Sequence, residues 1–266
     1  MLSRDEITRY SRNILLGEVG KKGQEKLAAS TVAVIGAGGL GSPVLFYLAA
    51  TGIGTLRIVD YDTVDLTNLQ RQILYHTSSQ DLPKVEAARE ILSKLNPNIQ
   101  VEIFRTRLEA SNAESILTGS DIVIEGSDNF ETKFLVNDAC FFLKIPLIIG
   151  GILQFEGQVI GIKPGETACY RCIFVNPPPP DEIPNCADSG VIGSMAGIIG
   201  SIQALEATKA ILGFPEAGLF GKILSMEAKE MNFRKIIVKK NLNCPLCGAN
   251  PSITSIMDSE AGKPAC

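Results

Sequence analysis

The feature that most constrains this chain is a glycine-rich turn set between two apolar runs of different period. The run at 31–35 predicts a buried strand, and the run at about 41–52 predicts a helix. Between them lies a GxGxxG motif, whose glycines are Gly36, Gly38, Gly39 and Gly41. These glycines permit a tight turn and let phosphate oxygens approach the backbone N–H groups at a helix N-terminus. The motif therefore predicts a strand–turn–helix unit that binds a nucleotide.

The alternation of strand and helix continues beyond this unit. Further strands are predicted at 56–60, 99–104, 121–125 and 146–149, and helices at 4–16, 84–95, 112–118 and 130–144. Such alternation predicts an α/β fold with a Rossmann-like, doubly wound, mostly parallel sheet and helices on both faces. Later runs at 154–163, 223–226 and 233–238 predict additional antiparallel strands in the C-terminal half, with a helix starting near residue 190.

Length and composition fit one domain. The 266 residues are 45% hydrophobic and 20% charged, which is typical of a globular chain with a sizeable core. We expect a single domain over 1–250 and a loosely ordered tail at 251–266, where large apolar residues are few. Four consecutive prolines at 177–180, followed by Pro184, predict an extended, exposed loop, because proline fits neither a helix interior nor a central strand.

Charge and targeting signals narrow the class of partner. The net charge of −4 argues against a general binder of nucleic acid or of anionic membranes. The N-terminus has no apolar run of the kind that forms a signal peptide, and the least charged stretch, 189–205, falls short of a membrane-spanning length. We therefore expect a cytoplasmic protein with no nucleic-acid and no membrane partner.

Charged residues follow the predicted strands at the edge where α/β sheets bind ligands. Asp60 ends the second strand, where an acid can accept a ribose hydroxyl, and Asp128 follows the strand at 121–125, where it could hold Mg²⁺. A turn-forming Asp-Asn pair is the alternative for Asp128. Arg71 and Lys84 suit charge stabilisation at a phosphorus atom undergoing displacement. They count against a nicotinamide or flavin dinucleotide site, the other interpretation of the glycine motif.

Four of the seven cysteines form two CxxC pairs. The pairs are Cys169 with Cys172 and Cys244 with Cys247. Four thiolates at this spacing suit tetrahedral Zn²⁺ and leave no position for water, so the metal should be structural. A redox CxxC function is the alternative.

Cys186 lies outside both pairs, between the proline loop and the helix that follows. Loop exposure and a helix N-terminus both favour a thiolate, so Cys186 is a candidate nucleophile, whereas a lone cysteine is more often inert. His76 is the only histidine, and it belongs to no motif that assigns it a role.

In their order along the chain, these residues resemble the ThiF/MoeB/HesA family, the prokaryotic relatives of ubiquitin-activating enzymes. The resemblance covers residues 3–248. It rests on RYSRNILL at 9–16, the glycine motif, Asp60-x-Asp62, NLQRQ at 68–72, PK at 83–84, SDN at 127–129, both CxxC pairs and the segment around Cys186.

The resemblance implies ATP-dependent adenylylation of the C-terminal glycine of a small ubiquitin-like sulfur carrier protein, with release of pyrophosphate. We expect this carrier to serve sulfur incorporation in molybdopterin cofactor biosynthesis, with the thiamine and tRNA-thiolation carriers as alternatives. An NAD(P)-dependent oxidoreductase that shares the fold and an inactive scaffold for a ubiquitin-like protein are hypotheses of different classes.

The resemblance also assigns roles to individual residues. Asp60 would bind the ATP ribose, and Asp128 would serve Mg²⁺ and the α-phosphate. Arg12 would enter the nucleotide site of the partner in a homodimer. Phosphates would contact Asn68, Arg71 and Lys84, and the remaining nucleotide-binding residues would be Gly36, Gly38, Gly39, Gly41, Asp62 and Asn129.

Two further expectations concern the later steps. The segment 173–189 matches a crossover loop over which the carrier tail would thread, and Cys186 matches a position that, in some members, forms a covalent link to the carrier. Longer relatives carry a rhodanese-like domain that delivers sulfur. This chain is too short for one, so we expect a separate protein as sulfur donor.

Overall fold

One continuous sheet organises the computed structural model, which describes residues 1–177, 190–214 and 218–259. Its strands are β1 Thr31–Ile35, β2 Thr55–Val59, β3 Gln100–Phe104, β4 Ile122–Glu125, β5 Leu147–Leu153, β6 Glu156–Ile162, β7 Lys222–Glu227 and β8 Asn232–Ile237. Their order is β3-β2-β1-β4-β5-β6-β7-β8, parallel from β3 to β5 and antiparallel from β5 to β8. This confirms the predicted Rossmann-like sheet with antiparallel strands in the C-terminal half.

Helices cover both faces of the sheet. They are α1 Arg4–Arg9, α2 Ser11–Ile14, α3 Gly20–Ala29, α4 Gly41–Thr51, α5 Lys84–Leu95, α6 Ala110–Leu117, α7 Phe130–Leu143, α8 Tyr170–Ile173 and α9 Gly193–Leu212. Short 3₁₀ turns lie at Leu66–Asn68, Thr77–Ser79 and Ile256–Asp258. None of the helices among the described residues has the length and apolar character needed to cross a membrane.

Two hydrophobic layers hold the helices to the sheet. The alternation of β1 is direct evidence for both, because Val32 and Val34 face one layer and Ala33 and Ile35 face the other. The first layer takes in α3, α4, α5 and α9, and the second takes in α6, α7 and the segment around the cysteine pairs. Burial on both faces explains why the central strands β1 and β4 are mostly apolar, whereas the edge strand β3 carries Gln100 and Glu102.

The N-terminal region differs from the prediction of one helix over 4–16. The chain leaves helical geometry at Tyr10, where α1 ends and α2 begins. The Tyr10 ring is buried against Gly52, at the end of α4, and its hydroxyl accepts a hydrogen bond from Asn96 Nδ2 at 2.7 Å. Tertiary contacts at Tyr10 thus interrupt the helix. The sequence analysis also missed α3, whose Gly20 and Gly23 lower its helix propensity.

The strand predicted at 146–149 continues to Leu153 and forms a hairpin with β6. Its last residues include Gly150, where an added Cβ would lie 2.4 Å from Oε1 of Gln203. The side chain of Gln203, on α9, therefore lies directly on the strand. This close approach requires glycine and was not visible in the apolar pattern of the sequence.

The segment expected to be a loosely ordered tail is described as far as residue 259. In that part, Ile253 and Ile256 are buried in the second hydrophobic layer. The Ser259 hydroxyl donates to Oδ2 of the buried Asp138 at 2.7 Å. The structure differs from the expectation here because a few apolar contacts and one hydrogen bond anchor a segment of otherwise polar composition.

Candidate functional site

A cavity of about 930 Å³ opens at the carboxyl ends of the parallel strands. It lies where β1 has β2 on one side and β4 on the other, the switch point at which open α/β sheets bind ligands. Its lining includes Gly36, Gly38, Gly39, Asp60, Asp62, Arg71 and Lys84 from the segments that follow β1 and β2. It also includes Gly126, Ser127, Asp128, Asn129 and Lys133 from the segment that follows β4. The structure thus brings together most of the residues that the sequence selected.

Two backbone turns form the floor of this cavity and lie against each other. We call residues 36–41 the glycine turn and residues 126–129 the aspartate turn. A Cβ added to Gly36, which has φ of +89°, would lie 3.1 Å from the backbone of Gly126. A Cβ on Gly41 would lie 2.1 Å from the carbonyl oxygen of Gly36. Glycine is therefore required at both positions. The backbone N–H groups of Gly38 and Gly39, which both line the cavity, have no partner among the described residues and can approach an anion.

The carboxylate of Asp60 holds the glycine turn in place. Its Oδ2 accepts a hydrogen bond from the backbone N–H of Ala37 at 2.8 Å, and its Oδ1 accepts one from that of Asp62 at 2.9 Å. Burial raises the pKa of Asp60, while the charge of Lys84 and these hydrogen bonds lower it. The assignment of Asp60 to a ribose hydroxyl stays a prediction, to which the structure adds a role in supporting the turn.

Lys84 is a buried cation at the first residue of α5, with only 5% of its surface exposed. Its Nζ donates to Oδ2 of Asp62 at 2.8 Å, and in the described parts of the chain it has no second hydrogen-bond partner. An ammonium group has three N–H donors. Two of them are therefore available to a ligand in the cavity.

Arg71 also lines the cavity, where its side chain lies against the glycine turn: a Cβ added to Gly39 would be 3.4 Å from Arg71 Cγ. Its guanidinium group donates one hydrogen bond, at 3.3 Å, to the carbonyl oxygen of Thr67, so most of its donors have no partner in the described structure. Asn68, in the preceding 3₁₀ turn, is half-buried and does not line the cavity. Arg71 and Lys84 thus present cationic groups with unused N–H donors to the cavity, which suits the oxygens of a phosphate chain.

The aspartate turn presents a carboxylate to the cavity. Asp128 is exposed, and its side chain has no hydrogen-bond partner among residues 1–177, 190–214 and 218–259. The neighbouring Asn129 is the N-cap of α7, since its Oδ1 accepts a hydrogen bond from the Thr132 N–H at 2.8 Å. A free carboxylate oxygen at the site of a phosphate chain is a donor type that Mg²⁺ prefers.

Four residues of the site were missed by the sequence analysis. Glu125 and Lys133 form a buried ion pair behind the aspartate turn, with Nζ to Oε2 at 2.5 Å. Desolvation raises the pKa of Glu125, and the Lys133 charge lowers it. The guanidinium group of Arg107 lies 5.0 Å from the ring centre of Tyr61 and donates to its hydroxyl at 3.0 Å, and both side chains line the cavity. The sequence contained one indication of these residues, namely the cation at position 133 within an apolar run predicted to be helical.

Gln72 is a fifth such residue, although it belongs to the NLQRQ motif. Its side chain is buried beside Gly38, and its Oε1 has no hydrogen-bond partner in the part of the chain that the structure describes. A buried acceptor without a partner is rare in folded proteins, and Gln72 lines the cavity. A ligand in the cavity could supply the missing donor.

The four paired cysteines meet within the second hydrophobic layer. Their sulfur atoms lie within 4.8 Å of one another. The Sγ–Sγ distance is 3.3 Å between Cys172 and Cys247 and 3.8 Å between Cys169 and Cys172. Tetrahedral zinc with Zn–S bonds of about 2.3 Å requires sulfur atoms about 3.8 Å apart. The cluster could therefore hold a metal ion, and all four residues predicted as its ligands take part.

A second buried ion pair lies beside this cysteine cluster. Arg171, between the first two cysteines, donates from Nε and Nη2 to the carboxylate of Asp138, the shortest contact being 2.7 Å. Asp138 also accepts hydrogen bonds from Asn137 at 3.0 Å and from Ser259 at 2.7 Å. This network joins α7, the first CxxC pair and the C-terminal segment.

One predicted catalytic residue, Arg12, is not brought to the cavity of its own chain. Arg12 is exposed on α2 and does not line the cavity. Its neighbour Tyr10 contacts Gly52 at the C-terminal end of α4, whereas the glycine turn lies at the N-terminal end of that helix. A helix of this length spans roughly 16 Å at 1.5 Å per residue. Cys186 and most of the expected crossover loop, residues 178–189, lie outside the described residues.

Comparisons with known proteins agree with this architecture. The sequence profile of the ThiF family matches residues 10–246. The adenylyltransferase and sulfurtransferase MOCS3 of Culex quinquefasciatus is 46% identical over 260 residues, which are 97% of this chain and 59% of that protein. The sulfur carrier protein adenylyltransferase of Thermus thermophilus is 44% identical over 264 residues, or 97% of each chain. The chain thus spans 59% of the length of the first relative and nearly all of the second.

A solved structure extends the comparison to the fold. The crystal structure of MccB from E. coli with succinimide aligns with a TM-score of 0.79 over 90% of this chain and 73% of that chain. The sequence identity is 24%, so this likeness shows the fold alone.

Proposed function

The chain belongs to the ThiF family, and on that premise we propose that it adenylylates the C-terminal glycine of a small ubiquitin-like sulfur carrier protein. ATP is the second substrate and pyrophosphate the second product. The observation that carries the proposal is the cavity wall on which Lys84 and Arg71, both short of protein partners, lie beside the glycine turn. A relative of matching length is named for this activity toward sulfur carriers.

The proposed reaction needs side chains that position the substrates and stabilise charge, but no general base. An oxygen of the carrier's terminal carboxylate attacks the α-phosphorus of ATP, the bond to the β-phosphate oxygen breaks, and pyrophosphate leaves with the electron pair. The carboxylate is ionised at neutral pH, so no general base is needed. The protein has to position the two substrates and stabilise negative charge on the phosphate oxygens. Lys84 and Arg71 supply positive charge, and the glycine turn supplies backbone N–H donors.

Mg²⁺ is the cofactor we propose for this reaction. When bound, it would neutralise charge on the phosphates of ATP. Asp128 fits such an ion because its carboxylate is exposed to the cavity and has no partner in the described chain. Asp62 is the less suitable ligand, since its carboxylate already pairs with Lys84.

The test of this proposal is ATP–pyrophosphate exchange with Mg²⁺. We propose the carrier of molybdopterin biosynthesis as the substrate, on the similarity of the motif series, so the assay includes that carrier, the thiamine carrier and a tRNA-thiolation carrier. Each is also supplied without its terminal glycine. We expect exchange with one intact carrier and none with its truncated form. Absence of exchange with every carrier, despite measured ATP binding, would refute the proposed function.

A homodimer completes the proposed site through Arg12. Arg12 follows Tyr10, which contacts the C-terminal end of α4, the end away from the glycine turn, so Arg12 would serve a second copy of the chain. Complementation tests this: we expect Arg12→Ala and Lys84→Met to be inactive alone, and their mixture to recover about a quarter of wild-type exchange through dimers with one intact site. A mixture as inactive as its components would contradict sharing.

The sulfur-transfer steps are assigned to Cys186 and to a separate donor protein. We propose that the Cys186 thiolate attacks the carbonyl of the carrier acyl-adenylate, so that AMP leaves and a thioester forms. Cys186→Ala should then retain ATP–pyrophosphate exchange and lose the covalent carrier adduct on a non-reducing gel. Persistence of that adduct in the variant would assign the link to another residue.

For the cysteine cluster we propose structural Zn²⁺.

A further inference from the structure

Lys133 is a second buried lysine at the cavity, with 7% of its surface exposed. Unlike Lys84, it has a partner for each of its three N–H donors. Nζ donates to Oε2 of Glu125 at 2.5 Å, to the carbonyl oxygen of Ser127 at 2.8 Å and to that of Gly150 at 2.8 Å. Because these acceptors use all its donors, the ammonium group has no hydrogen bond left for a ligand.

The three acceptors belong to three different segments. Glu125 ends β4, Ser127 lies in the aspartate turn, and Gly150 lies in β5. Lys133 therefore ties the turn to the two strands that flank it. Glu125 adds to this, because its Oε1 accepts hydrogen bonds from the backbone N–H of Ser127, at 2.7 Å, and from the Ser127 hydroxyl.

Asp128 depends on these neighbours for its position. Its own carboxylate has no hydrogen-bond partner in the described structure, so the backbone on either side of it determines where it lies. On the following side Asn129 is fixed as the cap of α7. On the preceding side Ser127 is fixed by Glu125 and Lys133.

We propose that Lys133 is a positioning residue, which holds the aspartate turn so that the Asp128 carboxylate meets the nucleotide-bound Mg²⁺. The inference rests on the proposed function, which assigns Asp128 to that ion. A displacement of about 1 Å at a reacting centre can lower a rate by about 100-fold. Loss of Lys133 should therefore affect the step that depends on metal more than the binding of nucleotide as such.

Substitution of Lys133 alone would leave Glu125 as a buried carboxylate without a cation, which destabilises a fold strongly. The test therefore uses a double variant, Glu125→Gln with Lys133→Met, in which no unpaired charge is buried. Lys133→Arg is the conservative variant, and Lys94→Met, on the exposed surface of α5, is the matched control.

Two measurements separate positioning from structural support. The first is binding of an ATP analogue with a methylene group between the α- and β-phosphorus atoms, in Mg²⁺ and in EDTA. We expect Mg²⁺ to tighten binding to the wild type and to Lys94→Met, and the double variant to lose this tightening by about tenfold with unchanged affinity in EDTA. The second is ATP–pyrophosphate exchange, which should fall by about 100-fold in the double variant and recover in Lys133→Arg.

The outcomes distinguish this inference from the proposed function. A folded double variant with wild-type Mg²⁺ dependence of binding would show that Lys133 only balances the charge of Glu125, and so overturn the inference. Equal loss of affinity in Mg²⁺ and in EDTA would overturn it too, since that result indicates a collapsed cavity. Failure of wild-type exchange with every carrier would refute the proposed function, while the binding comparison would still test Lys133.

Discussion

The cavity and the region of the cysteine cluster both bury polar side chains, but in the cavity some of these side chains lack protein partners among the described residues. Beside the cluster, the carboxylate of Asp138 accepts hydrogen bonds from Arg171, Asn137 and Ser259. In the cavity, Lys84 has one partner among the described residues and the Gln72 Oε1 has none. Buried polar groups without partners lower stability, so they persist where a ligand can satisfy them. The contrast separates a region that stabilises the fold from one that binds.

Removal of metal from the cysteine cluster should give the largest effect on stability. The cluster joins Cys172, in the middle of the chain, to Cys247 near its C-terminus, and structural zinc contributes its binding free energy to folding. We expect a chelator under reducing conditions to lower Tm by about 10–20 °C, which corresponds to roughly 5 kcal/mol for a domain of this size. Calorimetry with metal content measured in parallel tests this.

The control for that experiment is Cys140→Ala. Cys140 is buried outside the cluster, so this variant should retain one metal ion per chain and respond to the chelator as the wild type does. Return of Tm on addition of Zn²⁺ would assign the effect to the ion. An unchanged melting curve after verified metal removal would contradict a structural site.

Arg171→Met should lower the free energy of unfolding by about 3–5 kcal/mol, since it leaves the carboxylate of Asp138 buried without a cation. Urea denaturation measures this, with the exposed Arg234→Met as a control that should change stability by less than about 0.5 kcal/mol. Adding Asp138→Asn to Arg171→Met should restore most of the loss. If the single variant matched the control, the distinction between the two regions would fail.

In contrast to Arg171→Met, Lys84→Met should cause a large loss of activity and only a small loss of stability. Its partner Asp62 is half-exposed and can be solvated without the lysine, while the proposed reaction loses a cation beside the phosphates. We expect ATP–pyrophosphate exchange to fall by about 100-fold or more, as for the loss of one preorganised charge-stabilising group. Lys94→Met should leave exchange unchanged.

The pH profile sharpens this prediction. Burial raises the pKa of Asp60 and the Lys84 charge opposes that rise, so loss of Lys84 should raise the pKa further. The Asp60 carboxylate must be ionised to accept hydrogen bonds from the backbone N–H groups of both Ala37 and Asp62. In Lys84→Met, the residual activity should therefore begin to fall at a higher pH on the acid side of the pH–activity profile. A fall at the wild-type pH would show that the two groups do not interact.

The sequence predicted those features whose signal is local. The strand and helix periods gave most elements, and α5 occupies the predicted range 84–95. The glycine motif and the CxxC pairs could be identified because the chemistry requires those residue types at fixed spacing. The break at Tyr10 could not be predicted, because it depends on a contact with Gly52, which is distant in sequence. The same holds for the close approach of Gln203 to Gly150 in β5.

The site residues that the sequence did not predict were missed for the same physical reason. Lys133 pairs with Glu125 and with a carbonyl oxygen of β5, and these contacts exist only once the sheet is formed. Arg107 and Tyr61 meet across two strand ends in the same way. A single sequence offers one indication of such residues, a charge within an apolar stretch that becomes buried.

Ser259→Ala should give the smallest of these effects, and it tests how far the stabilising region extends toward the C-terminus. The Ser259 hydroxyl donates to the Asp138 carboxylate in a buried position, whereas Arg171 and Asn137 still satisfy that carboxylate in the variant. A hydrogen bond to a charged group contributes about 1.5–3 kcal/mol, and the remaining partners favour the lower end. We expect the free energy of unfolding to fall by about 1.5 kcal/mol, with unchanged ATP–pyrophosphate exchange.

Ser252→Ala is the matched control, because Ser252 is exposed and only its backbone N–H is hydrogen-bonded, to the carbonyl oxygen of Pro245. It should change stability by less than about 0.5 kcal/mol. Equal stability of the two variants in urea would mean that the C-terminal segment contributes nothing through Asp138. Loss of exchange in Ser259→Ala at full stability would mean instead that the network beside the cysteine cluster reaches the cavity, and the separation of binding from stabilising regions would have to be abandoned.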